Sequence, residues 1–94
     1  PVLIATMFQT YQTTAPNGVV RSNSASTVPS FNAAIRSTFA GRLNVHIVDL
    51  EPQMRERSLI GNDGLHPTDA GYDRMATLFL QAIEAAFPVR GSFQ

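Results

Sequence analysis

A carboxylate and an imidazole stand three residues apart, at Asp63 and His66, in a loop punctuated by glycine and proline. At this separation the chain can turn so that the carboxylate accepts the Nδ1 proton of the imidazole. That hydrogen bond fixes the tautomer and leaves Nε2 free to take a proton from a hydroxyl group. Pro67 disfavours helical dihedral angles at His66 and holds the ring outside the helix that follows. The spacing predicts a general base with its orienting acid.

Simpler interpretations of these residues stay open. Asp63 and His66 could form a structural pair, in which a loop histidine is bonded to a helix-capping acid. Asp49, at the carboxyl end of a predicted strand, is a second candidate to orient His66, or else it braces the loop that follows it. His46 lies between two branched apolar residues, and we expect it to be structural.

A metal ion is a further alternative for the acids near the loop. Asp69 and Asp73 could join Asp63 as ligands, but their positions early in a predicted helix explain both carboxylates without an ion. No metal site and no cofactor are predicted.

The composition excludes several classes of function. Seven basic and seven acidic side chains give a formal net charge of zero, which removes the electrostatic basis for binding nucleic acid or an anionic membrane. The absence of cysteine excludes disulfides, thiolate metal sites and a cysteine nucleophile. The 94 residues allow one small domain, and because the chain begins with Pro1 rather than Met, we expect further residues before it.

Two short apolar runs, residues 2–7 and 45–50, are rich in branched side chains. A run that is apolar on both alternating faces indicates a strand that helices cover on both sides. A polar stretch, residues 9–27, follows the first run and has a turn signal at residues 16–18. Because substrate loops follow strand carboxyl ends in α/β sheets, three side chains of this stretch could contact substrate or only face solvent. They are Tyr11, Gln12 and Arg21.

An amphipathic stretch follows each apolar run. Residues 29–40 place Phe31, Ile35 and Phe39 on one helical stripe, and Gly41 is suited to end that helix. The order strand, helix, strand, helix argues for parallel strands joined by right-handed crossovers, and thus for an α/β fold. Two such strands leave an open sheet edge, so the chain either self-associates or forms part of a larger sheet.

The second helix begins after Thr68, which is suited to be its N-cap, and Pro88 ends it. Its apolar positions repeat at the helical period, which predicts the side that faces the core. These positions are Tyr72, Met75, Ala76, Phe79, Ala82, Ile83 and Ala86.

Residues 63–72, Asp-Gly-Leu-His-Pro-Thr-Asp-Ala-Gly-Tyr, resemble the last conserved block of the SGNH (GDSL-type) serine hydrolases. The surrounding residues are most similar to acetyl xylan esterase-type carbohydrate esterases, and residues 31–35 look like the helix between the last two strands of that fold. The resemblance implies the C-terminal portion of a flavodoxin-like, three-layer α/β/α domain with a parallel sheet. Residues 1–94 would then be the last two strands and their helices. His66 matches the family's general base and Asp63 its orienter.

The resemblance implies hydrolysis of small acyl esters, among them acetyl groups on carbohydrate, by a Ser-His-Asp mechanism without a cofactor. The family's Gly-Asp-Ser block is missing from this sequence, as are its oxyanion-hole glycine and Gly-x-Asn-Asp segment. Neither Asn32 nor Asn62 matches the oxyanion asparagine. None of the serines has the nucleophile's setting: Ser22, Ser24, Ser26, Ser30, Ser37, Ser58 and Ser92.

We therefore expect the nucleophilic serine on the remaining N-terminal half of the domain, and we expect the isolated chain to be nearly inactive. A lipase or thioesterase of the same family is an alternative, since fold and triad do not fix the substrate. A non-catalytic α/β fragment that associates through its open sheet edge is another. Only the subfamily resemblance points to secretion.

Overall fold

The computed structural model describes residues 1–21 and 27–87. Within these ranges the strands are β1 (Val2–Ala5), β2 (Thr13–Thr14), β3 (Val20–Arg21) and β4 (Val45–Val48). The helices are α1 (Val28–Phe39), α2 (Leu50–Gln53) and α3 (Asp69–Ala86), and a 3₁₀ helix spans Arg57–Leu59. None of the helices in these ranges has the length and apolar character that a membrane span requires.

β1 and β4 pair in parallel, with Leu3 opposite His46 and Ala5 opposite Val48. The predicted α/β class with parallel strands is confirmed at this level. Both strands end two residues earlier than predicted, because polar side chains at their carboxyl ends take over the hydrogen bonding. Thr6 Oγ1 donates to Asp49 Oδ1 at 2.8 Å and accepts the N–H of Glu51 at 3.1 Å. The chain turns there into α2.

The polar stretch after β1, which the sequence predicts to be a loop, contains a small hairpin. β2 and β3 pair antiparallel, with Thr13 opposite Arg21. The turn at residues 16–18 lies between them, as the sequence predicts, and Gly18 has a φ of 87°. The hairpin places the side chain of Thr13 beside the loop that contains Asp63 and His66.

The predicted stripe of α1 is right in part, because Ile35 and Phe39 are half-buried but Phe31 faces outward. Phe31 is 52% exposed, whereas Val28 and Asn32 are buried. The Asn32 amide donates to Met7 O and accepts from Met7 N–H, both at 2.8 Å, and therefore satisfies the backbone just beyond the end of β1. Because neighbouring helical positions differ by about 100°, turning Asn32 inward leaves Phe31 facing outward.

The core gathers around the carboxyl end of β4 and the segment after it. Its buried apolar residues are Val48, Leu50, Met54, Leu59 and Ile60, and half-buried side chains of α3 pack against them. The predicted core side of α3 is right for Met75, Phe79 and Ala82. It is wrong for Ala76, which is exposed, and for Tyr72 and Ile83, which are 53% and 43% exposed.

A close approach at Gly71 explains why Tyr72 faces outward. Gly71 is buried, and a Cβ there would overlap the carbonyl oxygen of Leu59 and lie 2.9 Å from Pro67 Cβ. The backbone of α3 at Gly71 therefore packs directly against the 3₁₀ helix, and the side chain of Tyr72 points about 100° away from that contact.

Gly71→Ala separates this contact from helix propensity. Propensity alone favours alanine by about 1 kcal/mol, whereas a methyl group against the Leu59 backbone costs about 1–3 kcal/mol of overpacking. We expect a net fall in the free energy of unfolding, measured by urea denaturation. Ala76→Gly, at an exposed position of the same helix, is the control and should cost about 1 kcal/mol. A stabilised Gly71→Ala protein would contradict the packing at this position.

Candidate active site

Asp63 and His66 lie in a narrow loop that backbone hydrogen bonds close at its base. Ile60 and Pro67 form an isolated antiparallel bridge, and Gly61 N–H donates to His66 O at 2.7 Å. We call residues 61–66 the dyad loop. Its closure keeps His66 just before α3 and outside the helix, as the sequence predicts from Pro67.

Within the dyad loop the Asp63 carboxylate bonds to three groups. Oδ1 accepts the backbone N–H groups of Leu65 at 2.9 Å and His66 at 3.0 Å. Oδ2 lies 2.5 Å from His66 Nδ1. The contact that the three-residue spacing predicts is therefore present, with Nδ1 engaged and Nε2 on the far side of the ring. The His66 side chain is 69% exposed, so a group outside this chain can reach Nε2.

The same contacts set the ionisation of Asp63. The hydrogen bond with His66 lowers the pKa of the Asp63 carboxyl well below its usual range, and the two backbone N–H donors lower it further. Asp63 is therefore a carboxylate at neutral pH, which is the form that can hold an Nδ1 proton and stabilise an imidazolium. What the pair can do chemically is accept a proton at Nε2 and return it. Its role in a reaction stays a prediction.

Several polar side chains fix the ends of the dyad loop. Thr68, the N-cap of α3 that the sequence predicts, accepts the N–H of Gly71 at 3.2 Å and donates to Ser58 O at 2.9 Å. Arg57 Nη1 donates to Ile60 O at 2.6 Å and to Gly61 O at 3.0 Å. The loop is thus tied both to α3 and to the 3₁₀ helix that precedes it.

Asp49 does not orient His66, because Asp63 holds His66 Nδ1 and Asp49 bonds to other side chains. Its Oδ1 accepts from Thr6 Oγ1 at 2.8 Å and from Arg36 Nη2 at 2.7 Å, so it braces the loop after β4, which is the other role that the sequence left open. Arg36 also donates to the buried Glu51 at 2.8 Å. Sequence reasoning missed Arg36 and Glu51, since neither stands in a motif; a charged side chain on the inner side of an amphipathic helix was the available signal.

The serines that lack the nucleophile's setting lie on the surface wherever the structure describes them. Ser30 and Ser37 are exposed on α1, and Ser58 is exposed in the 3₁₀ helix. Gln12 and Asn62 are also exposed. Pro88 and the side chain of Arg21 lie outside the described residues. So do four further serines, Ser22, Ser24, Ser26 and Ser92.

His46 is half-buried in β4, and Asp69 and Asp73 are exposed on α3. In residues 1–21 and 27–87, no three His, Cys, Asp or Glu side chains are grouped so as to hold a metal ion. Comparisons with protein-family models, with curated proteins and with solved structures find no match to this chain.

The ion pairs of Arg36 with Asp49 and Glu51, which we call the Arg36 network, make the stability of the chain depend on pH. Hydrogen bonds from Arg36 lower the pKa values of Asp49 and Glu51 below their ordinary 3.8 and 4.5, so in acid the unfolded chain binds more protons than the folded one. We expect the free energy of unfolding, from urea denaturation, to fall as the pH drops below about 4.5. Asp63, whose pKa is also lowered, adds to this fall.

Arg36→Met isolates the contribution of the network. It leaves Glu51 buried without its cation, so the variant is less stable than wild type at about pH 6. The two curves converge in acid, as the pH falls through the lowered pKa values of Asp49 and Glu51 and both carboxylates become neutral. Ser37→Ala, on the exposed side of the same helix, is the control and should follow the wild-type curve. A constant offset between Arg36→Met and wild type at every pH would contradict this account.

Proposed function

We propose that this chain supplies the general base and its orienting acid to the active site of an SGNH-type serine esterase. The observation that carries the proposal is the 2.5 Å contact between Asp63 Oδ2 and His66 Nδ1, in a loop whose sequence resembles the last block of that family. The outward-facing Nε2 is also what a base needs if its nucleophile lies on another segment. The domain would be a flavodoxin-like α/β/α sandwich with β1 and β4 as its last two strands.

In this proposal a serine outside residues 1–94 attacks the ester carbonyl, and His66 Nε2 accepts the serine proton. The imidazolium that forms keeps its Nδ1–H on Asp63, whose negative charge stabilises it. His66 then returns the proton to the leaving alcohol as the C–O bond breaks and the acyl-enzyme forms. In the second half, His66 takes a proton from water, which attacks the acyl carbonyl, and gives it back to the serine. No cofactor takes part.

The proposed substrates are small acyl esters, with acetylated carbohydrate among them. This choice rests on the resemblance of residues 63–72 and their surroundings to the acetyl xylan esterase-type enzymes. A lipase or thioesterase would use the same proton transfers and differ in its acyl pocket. A panel of acetyl, butyryl and octanoyl esters, with acetylated xylan, separates these substrates.

The test uses the complete polypeptide that contains these residues, assayed on 4-nitrophenyl acetate. His66→Gln should lower kcat by about 1,000-fold or more, and Asp63→Asn by a similar factor, because each removes a member of one proton-transfer unit. His46→Gln is the matched control, since His46 lies in β4 away from the dyad loop, and its activity should stay within about twofold of wild type.

Two results would contradict the proposal. One is a complete polypeptide that cleaves none of the esters in the panel. The other is ester hydrolysis that His66→Gln leaves intact. The isolated 94-residue chain should not hydrolyse the ester above the buffer rate; a His66-dependent rate from it would mean that the nucleophile lies within this sequence.

A second candidate function is association with a partner strand at the outer edge of β1. The N–H groups of Val2 and Thr6 donate towards β4, so the alternating N–H groups of Leu3 and Ala5 point to the opposite edge. Among the described residues, β1 pairs with no strand other than β4. An apolar cavity of about 270 Å³ lies beyond the end of β1, lined by Met7, Thr27, Val28 and Phe31. An unpaired edge favours addition of a further strand.

Hydrogen exchange tests whether this edge is open. In a monomeric preparation of the chain, we expect the Leu3 and Ala5 amides to exchange fast and the Thr6 amide, bonded to Val48 O at 3.0 Å, to be protected. In the complete polypeptide all three should be protected. Slow exchange at Leu3 and Ala5 in the monomer would show that the edge is already covered and would exclude this second function.

A further inference from the structure

Residues 7–13, which we call the strap, run from the end of β1 to the dyad loop and bond to its backbone. Tyr11 N–H donates to Gly64 O at 2.8 Å. Thr13 Oγ1 donates to Asp63 O at 3.0 Å. The strap therefore bonds to the carbonyl oxygens of two consecutive residues of the loop, one of which is the acid of the pair.

The contact between the strap and the loop is close as well as hydrogen-bonded. Gly64 has a φ of 73°, and a Cβ on it would overlap the carbonyl oxygen of Tyr11 and lie 2.8 Å from Thr13 Cγ2. Only a residue without a side chain fits there in this conformation. The Thr13 methyl group thus packs on the loop while its hydroxyl bonds to it.

The strap is also held by residues outside the dyad loop. The buried Asn32 amide holds Met7 at one end through two hydrogen bonds of 2.8 Å. Further along, the Tyr11 hydroxyl donates to Arg55 O at 2.5 Å. The Arg57 guanidinium, which also bonds to Gly61 O in the dyad loop, lies 5.0 Å from the centre of the Tyr11 ring. The strap therefore links the end of β1 to the dyad loop.

We propose that Tyr11 and Thr13 are positioning residues for the Asp63–His66 pair. The bonds from Asp63 Oδ1 to Leu65 and His66 fix the carboxylate relative to its own loop. Other hydrogen bonds tie that loop to α3 and to the 3₁₀ helix, but not to β1. The strap adds the attachment to β1, through the carbonyl oxygens of Asp63 and Gly64. Neither Tyr11 nor Thr13 is hydrogen-bonded to the imidazole in the part of the chain that the structure describes, so Thr13 acts through Asp63 and Tyr11 through Gly64.

The importance of this positioning for a reaction rests on the proposed function, but the positioning itself does not. The test therefore reads the pair directly by NMR of the 94-residue chain. The measurements are the carboxyl pKa of Asp63, from its ¹³C shift, and the Nδ1–H tautomer population of neutral His66, from its ring ¹⁵N shifts. Ester hydrolysis enters neither measurement.

Thr13→Val removes the hydroxyl and keeps the branched shape against Gly64. We expect the pKa of Asp63 to rise towards its usual value, and the ratio of Nδ1–H to Nε2–H tautomers to fall by about twofold to fivefold, the factor that one ordinary hydrogen bond contributes. Thr13→Ser keeps the hydroxyl and should restore both values. Thr14→Val, at the neighbouring exposed position of β2, should leave both at wild type.

A folded Thr13→Val chain with unchanged Asp63 pKa and His66 tautomers would overturn the proposal. If that variant does not fold, hydrogen exchange of the wild-type chain tests the proposal instead. The Tyr11 amide should exchange at least about tenfold more slowly than in an unstructured peptide. Exchange at the peptide rate would show that the strap is not attached to the dyad loop. If the complete polypeptide is an esterase, Thr13→Val should lower kcat about fivefold with KM unchanged. If the complete polypeptide is inactive but the NMR shifts are as expected, the proposed esterase function is refuted and the proposed positioning role of the strap is supported.

Discussion

The parallel pairing of β1 with β4 determines where the rest of the molecule lies, because it brings two carboxyl ends of strands to one edge. Thr6 and Asp49 meet there and bond at 2.8 Å, and the chain leaves β1 as the strap and β4 as α2. From this edge the strap reaches the dyad loop, and the loop leads into α3, which packs back on β4. A polar site at the carboxyl ends of parallel strands is what open α/β sheets generally provide.

Polar interactions fix the orientation of many elements of this chain. Among the described residues the buried apolar cluster comprises five side chains. The Asn32 amide, the ion pairs of Arg36 and the strap therefore fix orientations that a larger core would fix by packing. Hydrogen bonds have directions, whereas apolar contacts do not. A loop held in this way can keep an exposed histidine in one orientation without burying it.

The proposed chemistry fits this arrangement. A base that serves a nucleophile from another segment has to be exposed at Nε2 and constrained at Nδ1, and His66 has both properties. Within the described residues the outer edge of β1 is unpaired, which gives the proposed larger domain a place at which a further strand could pair. The proposed catalysis and the proposed strand addition are therefore compatible with one geometry.

The sequence by itself determined the α/β class, the parallel pair of strands, the N-cap at Thr68 and the contact between Asp63 and His66. Each depends on short-range rules: hydrophobic period, capping chemistry, or a turn of three residues.

The tertiary structure decided the contacts and the orientation of side chains. It buries Asn32 rather than Phe31 and turns Tyr72 outward. It also pairs Asp49 with Arg36 and brings Thr13 to Asp63. These outcomes depend on contacts between residues far apart in sequence, such as the amide of Asn32 on the Met7 backbone, and no local period encodes them.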